Sequence, residues 1–106
     1  MITFDDFKNM DLRIAKVIAV QDHPNADKLY VLKVDLGGEQ RTLVAGIKGK
    51  YSKEDLIDKL IVVVANLEPA TIRGVTSEGM LLAARDGDDI VILTSEREVS
   101  PGSKIS

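Results

Sequence analysis

The sequence predicts an all-β domain with short helices, and three observations point there. Apolar stretches of strand length recur along the chain. Turn-forming groups separate them: His23-Pro24-Asn25, Gly37-Gly38 and Asp86-Gly87-Asp88-Asp89. Helix signals are confined to two short segments.

Thr3 to Phe7 reads as a short helix. Thr3 caps it, Asp5 and Asp6 suit the positive end of its dipole, and Phe4 and Phe7 share a face. So short a helix must dock to persist. Both phenylalanines of the chain lie here, so apolar docking is expected. Leu12 to Val20 reads as a long strand whose alternation slips at Lys16, the mark of a bulge or bend. His23 to Lys28 is a turn by composition, with His23 read as a solvated turn residue. Leu29 to Leu36 is a strand with Tyr30, Leu32, Val34 and Leu36 on its core side, and Gly37-Gly38 turns it into a third strand at Thr42 to Ala45.

Ser52 to Ile57 opens with a cap and an acid three residues on, which reads as a second short helix. Leu60 to Val64 is a fourth strand. Ala65 to Gly79 reads as a polar, glycine-punctuated loop, then Met80 to Ala84 as a buried strand in a hairpin with Ile90 to Leu93. The tail, Val99 to Ser106, is extended and turn-rich. Three strands, a helix, then further strands fit an OB-fold, a five-stranded Greek-key barrel with a helix between strands 3 and 4. The alternative is an open antiparallel sheet covered by helices. The chain shows no repeat or linker, so one domain over 1–106 is expected.

Hydrophobic residues make up 44% of the 106 residues, too many for a disordered chain. No apolar run approaches a membrane span, and the N-terminus lacks the features of a signal peptide. A cytoplasmic location is the simplest expectation. With no cysteine and one histidine, neither a thiolate metal site nor the usual zinc site can form, and no cofactor is expected. No nucleophile elbow or phosphate loop occurs, so catalysis is not expected. The net charge of −3 argues against a general nucleic-acid binder, although Arg41, Lys48, Lys50 and Lys53 leave room for a local cationic face. Aromatic residues are 4% of the chain. A single-strand stacking platform is therefore poorly supplied, and shape and backbone contacts to a folded RNA fit better.

Four ordered blocks carry a resemblance: Asp11-Leu12-Arg13-Ile14, Pro24-Asn25-Ala26-Asp27-Lys28-Leu29, Ala65-Asn66-Leu67-Glu68-Pro69 and Arg73-Gly74-Val75-Thr76-Ser77-Glu78-Gly79-Met80. Together they closely resemble the tRNA-binding domain found at the C-terminus of methionyl-tRNA synthetases, in free-standing tRNA-binding proteins and in synthetase cofactors such as Arc1p. The resemblance covers nearly the whole chain. It implies an OB-fold that binds the folded shape of tRNA and assists an aminoacyl-tRNA synthetase, in cis or in trans. It implies tRNA contacts from Asn25, Lys28, Arg41, Asn66, Arg73, Ser77 and Met80, with Lys28 foremost. Asp27 is expected to cap or orient, since like charges repel. Met80 packs on a sugar or base, or serves the core. The tail resembles that of dimeric family members, which implies a homodimer with Phe4, Phe7, Pro101, Gly102 and Ile105 near its interface. Two alternatives are an export-type chaperone of the same family and a tethering module without RNA binding.

Overall fold

One strand links every part of the barrel. The computed structural model describes Met1–Ser106, and its β1 (Leu12–Asp22) is shared between two neighbours. Its first half pairs with β4 (Leu60–Val64), from Leu12↔Val64 to Lys16↔Leu60. Its second half pairs with β2 (Tyr30–Asp35), from Lys16↔Asp35 to Asp22↔Tyr30. A register shift between Val17 and Ala19 places the irregularity at Ile18, two residues beyond the slip read at Lys16. Lys16 stays regular because both its edges are held by ladders. The extra residue lets the strand bend from one face to the other.

β2 pairs with β3 (Gln40–Ala45) through the Gly37-Gly38 turn, and the helix α2 (Lys53–Leu56) lies between β3 and β4. The five-stranded antiparallel sheet runs β3-β2-β1-β4-β7, with β7 at Met80–Leu81. This is the OB-like barrel expected from the sequence. Ser52 caps α2, its hydroxyl accepting from the Asp55 N–H at 3.2 Å. Leu56 then enters the core beside Val17, Leu32, Val34, Leu43, Ile61 and Val63, all fully buried. Tyr30 donates its hydroxyl to the Tyr51 carbonyl at 2.9 Å, and the Tyr51 hydroxyl accepts from the Ile92 N–H at 3.0 Å. Both tyrosines thus serve the fold.

The expected polar loop is a hairpin. β5 (Ala70–Ile72) and β6 (Val75–Ser77) pair across Arg73-Gly74. Beyond β7, the chain forms a second hairpin, β8 (Ala83–Asp86) with β9 (Asp89–Ile92). The single strand expected over Met80 to Ala84 is broken at Leu82. There the N–H donates to the Val62 carbonyl, and the carbonyl accepts from Leu93, each at 3.0 Å. The barrel is closed against β3 largely by side chains. Val44 N–H donates to Ser77 Oγ at 3.0 Å and Thr42 N–H to Glu78 Oε1 at 3.0 Å, while Glu78 N–H returns to the Thr42 carbonyl at 2.8 Å.

The tail covers the edge of β1 that β2 leaves bare. Gly102 N–H donates to the Ile14 carbonyl at 2.7 Å, and Ile105 N–H to the Leu12 carbonyl at 2.9 Å. Gly102 has φ +90°, and a Cβ there would lie 2.5 Å from the Leu36 carbonyl oxygen, so only glycine fits. The helix α1 (Phe4–Lys8) carries a full capping box between Thr3 and Asp6. It docks less than expected: none of its residues is buried, and Phe4 is 73% exposed beneath the Lys8 ammonium. No helix is long and apolar enough to cross a membrane.

Candidate nucleic-acid interface

Two segments distant in sequence meet at one end of the barrel. The first is the β5–β6 hairpin tip. Its two central residues, Arg73 (φ +52°) and Gly74 (φ +91°), are both left-handed, which makes a two-residue turn of the I′ kind. Glycine takes this conformation freely. Arginine does so at a cost on the order of 1 kcal/mol, and such residues persist where neighbours fix them. The second segment is the β1–β2 turn, His23 to Leu29. Asn25 Nδ2 donates to the Arg73 carbonyl at 3.0 Å, and the His23 ring meets the Ile72 carbonyl at 2.9 Å.

The two segments form an open groove of about 410 Å³ lined by Asn25, Ala26, Asp27, Lys28, Leu29 and Arg73. Lys28 and Arg73 are exposed and make no ion pair. Both keep their full charge available to an anion. The exposed Asp27 carboxylate shares the groove without a hydrogen-bond partner, so the capping role expected for it is not seen. His23 is only 5% exposed, contrary to its reading as a solvated turn residue. A ring in so short a turn packs inward once a hairpin lies over it, and no local pattern reveals that hairpin.

The other expected contacts are engaged within the protein. Arg41 holds Glu39 at 3.1 Å and donates to the Ala65 carbonyl, bracing the end of β4. Asn66 accepts from the Asp11 N–H at 2.9 Å and donates to the Asn9 carbonyl at 2.7 Å, so it anchors the joint between α1 and β1. Ser77 is 5% exposed; its hydroxyl accepts from Val44 and donates to the Gly79 carbonyl at 2.9 Å. These three polar side chains knit the barrel, each bonding backbone groups, and Arg41 also pairs with the Glu39 carboxylate. Met80 is 45% exposed at the rim of an apolar groove of about 340 Å³ with Val44, Ala83 and Ile90, so it is not core.

The cations after β3 are mostly paired as well. Lys48 and Lys53 reach the two oxygens of Asp22 at 3.2 and 3.4 Å. The hydrogen bond from Lys48 chiefly lowers the Asp22 pKa, with Lys53 adding to it against desolvation. Lys50 alone of that group is unpaired. At the far side, Arg13 hydrogen-bonds Asp11 at 2.8 Å and holds that carboxyl below its usual range. No three His, Asp or Glu side chains converge as a metal cage. A separate apolar groove of about 150 Å³ is lined by Phe4, Phe7, Met10 and Ile105 among others. Gly102, by contrast, is seated against its own chain, and a Cβ on Gly37 would press on the Pro101 carbonyl.

Residues 12–104 match the model of a family described as "Putative tRNA binding domain". The methionine–tRNA ligase of Pyrococcus furiosus is 58% identical over 104 residues, covering 98% of this chain but 14% of that protein. The chain thus spans about one seventh of the length of the curated relatives it matches. Among solved structures, a MetRS-related protein from Pyrococcus horikoshii superposes with a TM-score of 0.93 at 31% identity, covering 100% of this chain and 98% of that one. The chaperone CsaA of Bacillus anthracis superposes with a TM-score of 0.90 at 34% identity, covering 100% and 99%. The chain belongs to the tRNA-binding domain family and is homologous to a domain of methionine–tRNA ligases.

Proposed function

We propose that residues 1–106 form one non-catalytic module that binds folded tRNA and raises its local concentration for an aminoacyl-tRNA synthetase, in cis or in trans with a methionyl enzyme. The observation that carries this reading is the groove holding two unpaired cations, Lys28 and Arg73, on clamped turns. Preset cations favour phosphates of fixed spacing over a floppy strand. Tyr30 is buried and Tyr51 half-buried, which leaves Phe4 as the one exposed aromatic ring, too few for a stacking platform and in keeping with backbone and shape contacts. Met80 extends the surface with an exposed apolar contact for a sugar or base. The module acts in the cytoplasm and as a homodimer. The exposed Phe4 and the groove it shares with Phe7 and Ile105 support that pairing. Two copies would present two cationic grooves to one tRNA.

The test is binding of bulk folded tRNA against an unstructured RNA of equal length across a salt series. Salt-dependent binding that favours folded tRNA supports the reading. Equal weak binding to both, or none, favours the chaperone reading, to which the 34% identity with CsaA lends support. Binding to unfolded polypeptide is then the next measurement. Sedimentation of a monomer at micromolar concentration would remove the dimer.

A further inference from the structure

His23 is buried and no part of the RNA reading uses it. Its hydrogen bonds fix its chemistry. The Asn25 N–H donates to Nδ1 at 2.9 Å, so that nitrogen carries no proton. The proton is therefore on Nε2, which donates to the Ile72 carbonyl at 2.9 Å. Asn25, held by the ring through its backbone, passes the connection on through its side chain to the Arg73 carbonyl at 3.0 Å. Two consecutive carbonyls of the hairpin tip, those of Ile72 and Arg73, are thus gripped from the β1–β2 turn. The second of them belongs to the left-handed arginine.

Resting on the tRNA-binding reading, we propose that His23 is a positioning residue for the phosphate site. It holds the neutral Nε2-protonated ring as a rigid strut between the turn that bears Lys28 and the hairpin that bears Arg73. Without the strut, the tip loses one of its two holds, and the left-handed arginine is free to relax. Arg73 then no longer holds a phosphate contact in the complex, because ordering the freed tip costs more than one exposed ion pair returns, while Lys28 on its own turn is less affected. His23 itself touches no RNA.

Two substitutions divide the ring's two jobs. Asparagine places an acceptor where Nδ1 lies and keeps the local turn bond. It is too short to reach Ile72. Glutamine has the length to donate to the Ile72 carbonyl, so it keeps the strut. The expected result is that His23→Asn weakens tRNA binding several-fold and lowers the salt slope by about one, as loss of a phosphate contact does. The His23→Gln protein keeps most of both. In a double-mutant cycle, adding His23→Asn to Arg73→Ala costs less than twofold more, because both changes remove the same contact. A merely structural histidine gives the opposite pattern: an additive loss, an unchanged slope and no difference between the two variants. That pattern would overturn the proposal.

NMR relaxation of the Arg73 and Gly74 amides, without RNA, reads the strut directly. Increased mobility in His23→Asn but not His23→Gln supports it, and unchanged mobility overturns it. Should the wild-type protein bind no tRNA, the RNA reading fails and the tip mobility alone decides the strut. Should the variants fail to fold, the wild-type ring decides it. An Nε2 proton protected from exchange and coupled to the Ile72 carbonyl supports the strut, and an averaged tautomer overturns it.

Discussion

The stretch Arg73 to Met80 contains two regions of opposite character. Its tip, Arg73-Gly74, projects from the barrel with a guanidinium that has no partner. Its base, the buried Ser77 and the exposed Glu78, receives backbone N–H groups from β3. The tip carries backbone strain and an open charge, whereas the base satisfies groups that would otherwise be unpaired at a sheet edge. Adjacency in a motif therefore does not imply a shared role. The base closes the barrel that holds the tip, and of the polar side chains in this stretch that of Arg73 is left exposed without a partner. Asn66 and Arg41 fall with the base, and Lys28 and Asn25 with the tip.

This division can be broken at its base first. Ser77→Ala leaves the Val44 N–H without its acceptor inside the seam, at a cost of about 1–3 kcal/mol. Thermal unfolding should show a fall of roughly 4–8 °C per kcal/mol. The tRNA affinity of the folded fraction should stay within about twofold; a tenfold loss at unchanged melting temperature would move Ser77 to the tip. Next in size is Arg73→Asn. Asparagine suits the first position of this turn, so stability should rise by about 1 kcal/mol. Binding should weaken and the salt slope should fall by about one. Stability and affinity moving in the same direction would refute the contrast.

A smaller effect is expected at Asp27→Asn. Removing a carboxylate from the groove lowers repulsion of phosphate, and tRNA affinity should increase by a few-fold at low salt. An unchanged affinity would place the RNA elsewhere. The smallest effect concerns acid stability. Asp11 and Asp22 have lowered pKa values, chiefly through hydrogen bonds from Arg13 and Lys48 respectively. A depressed folded pKa means that the unfolded chain binds protons first. The stabilisation is therefore present above the unfolded carboxylate range, and it is lost as pH falls through the folded values. In urea titrations carried into acid, Asp22→Asn should flatten this loss without altering the neutral-pH behaviour of the groove.

Much of the barrel was legible in the chain. The alternation Tyr30, Leu32, Val34, the run Leu60 to Val64 and the Ser52 cap are local signals, and each marks an element seen in the structure. The bulge was displaced by two residues because alternation reports a slip in burial, while the ladder decides where the extra residue sits. The hairpin at Arg73-Gly74 was not legible as one, since arginine is an uncommon residue for a left-handed turn position. Met80 reads in the sequence as core or RNA-facing; it pairs with Val64 at the edge of the sheet and is 45% exposed there.

The class of fold, the order of its elements and the family are readable along the chain, because strand periodicity, caps and ordered motif blocks are properties of neighbours in sequence. Which polar residues remain open to a partner depends instead on contacts made across the folded barrel. Lys28, Arg73, Arg41 and Ser77 are all candidate contacts in one dimension, Lys28 foremost and Arg41 the weaker. Arg41 and Ser77 are taken up by backbone groups brought from tens of residues away, Ala65 to Arg41 and Val44 to Ser77, while Lys28 and Arg73 meet no such partner. The same long-range closure buried His23 beneath a hairpin that starts 47 residues after it, at Ala70.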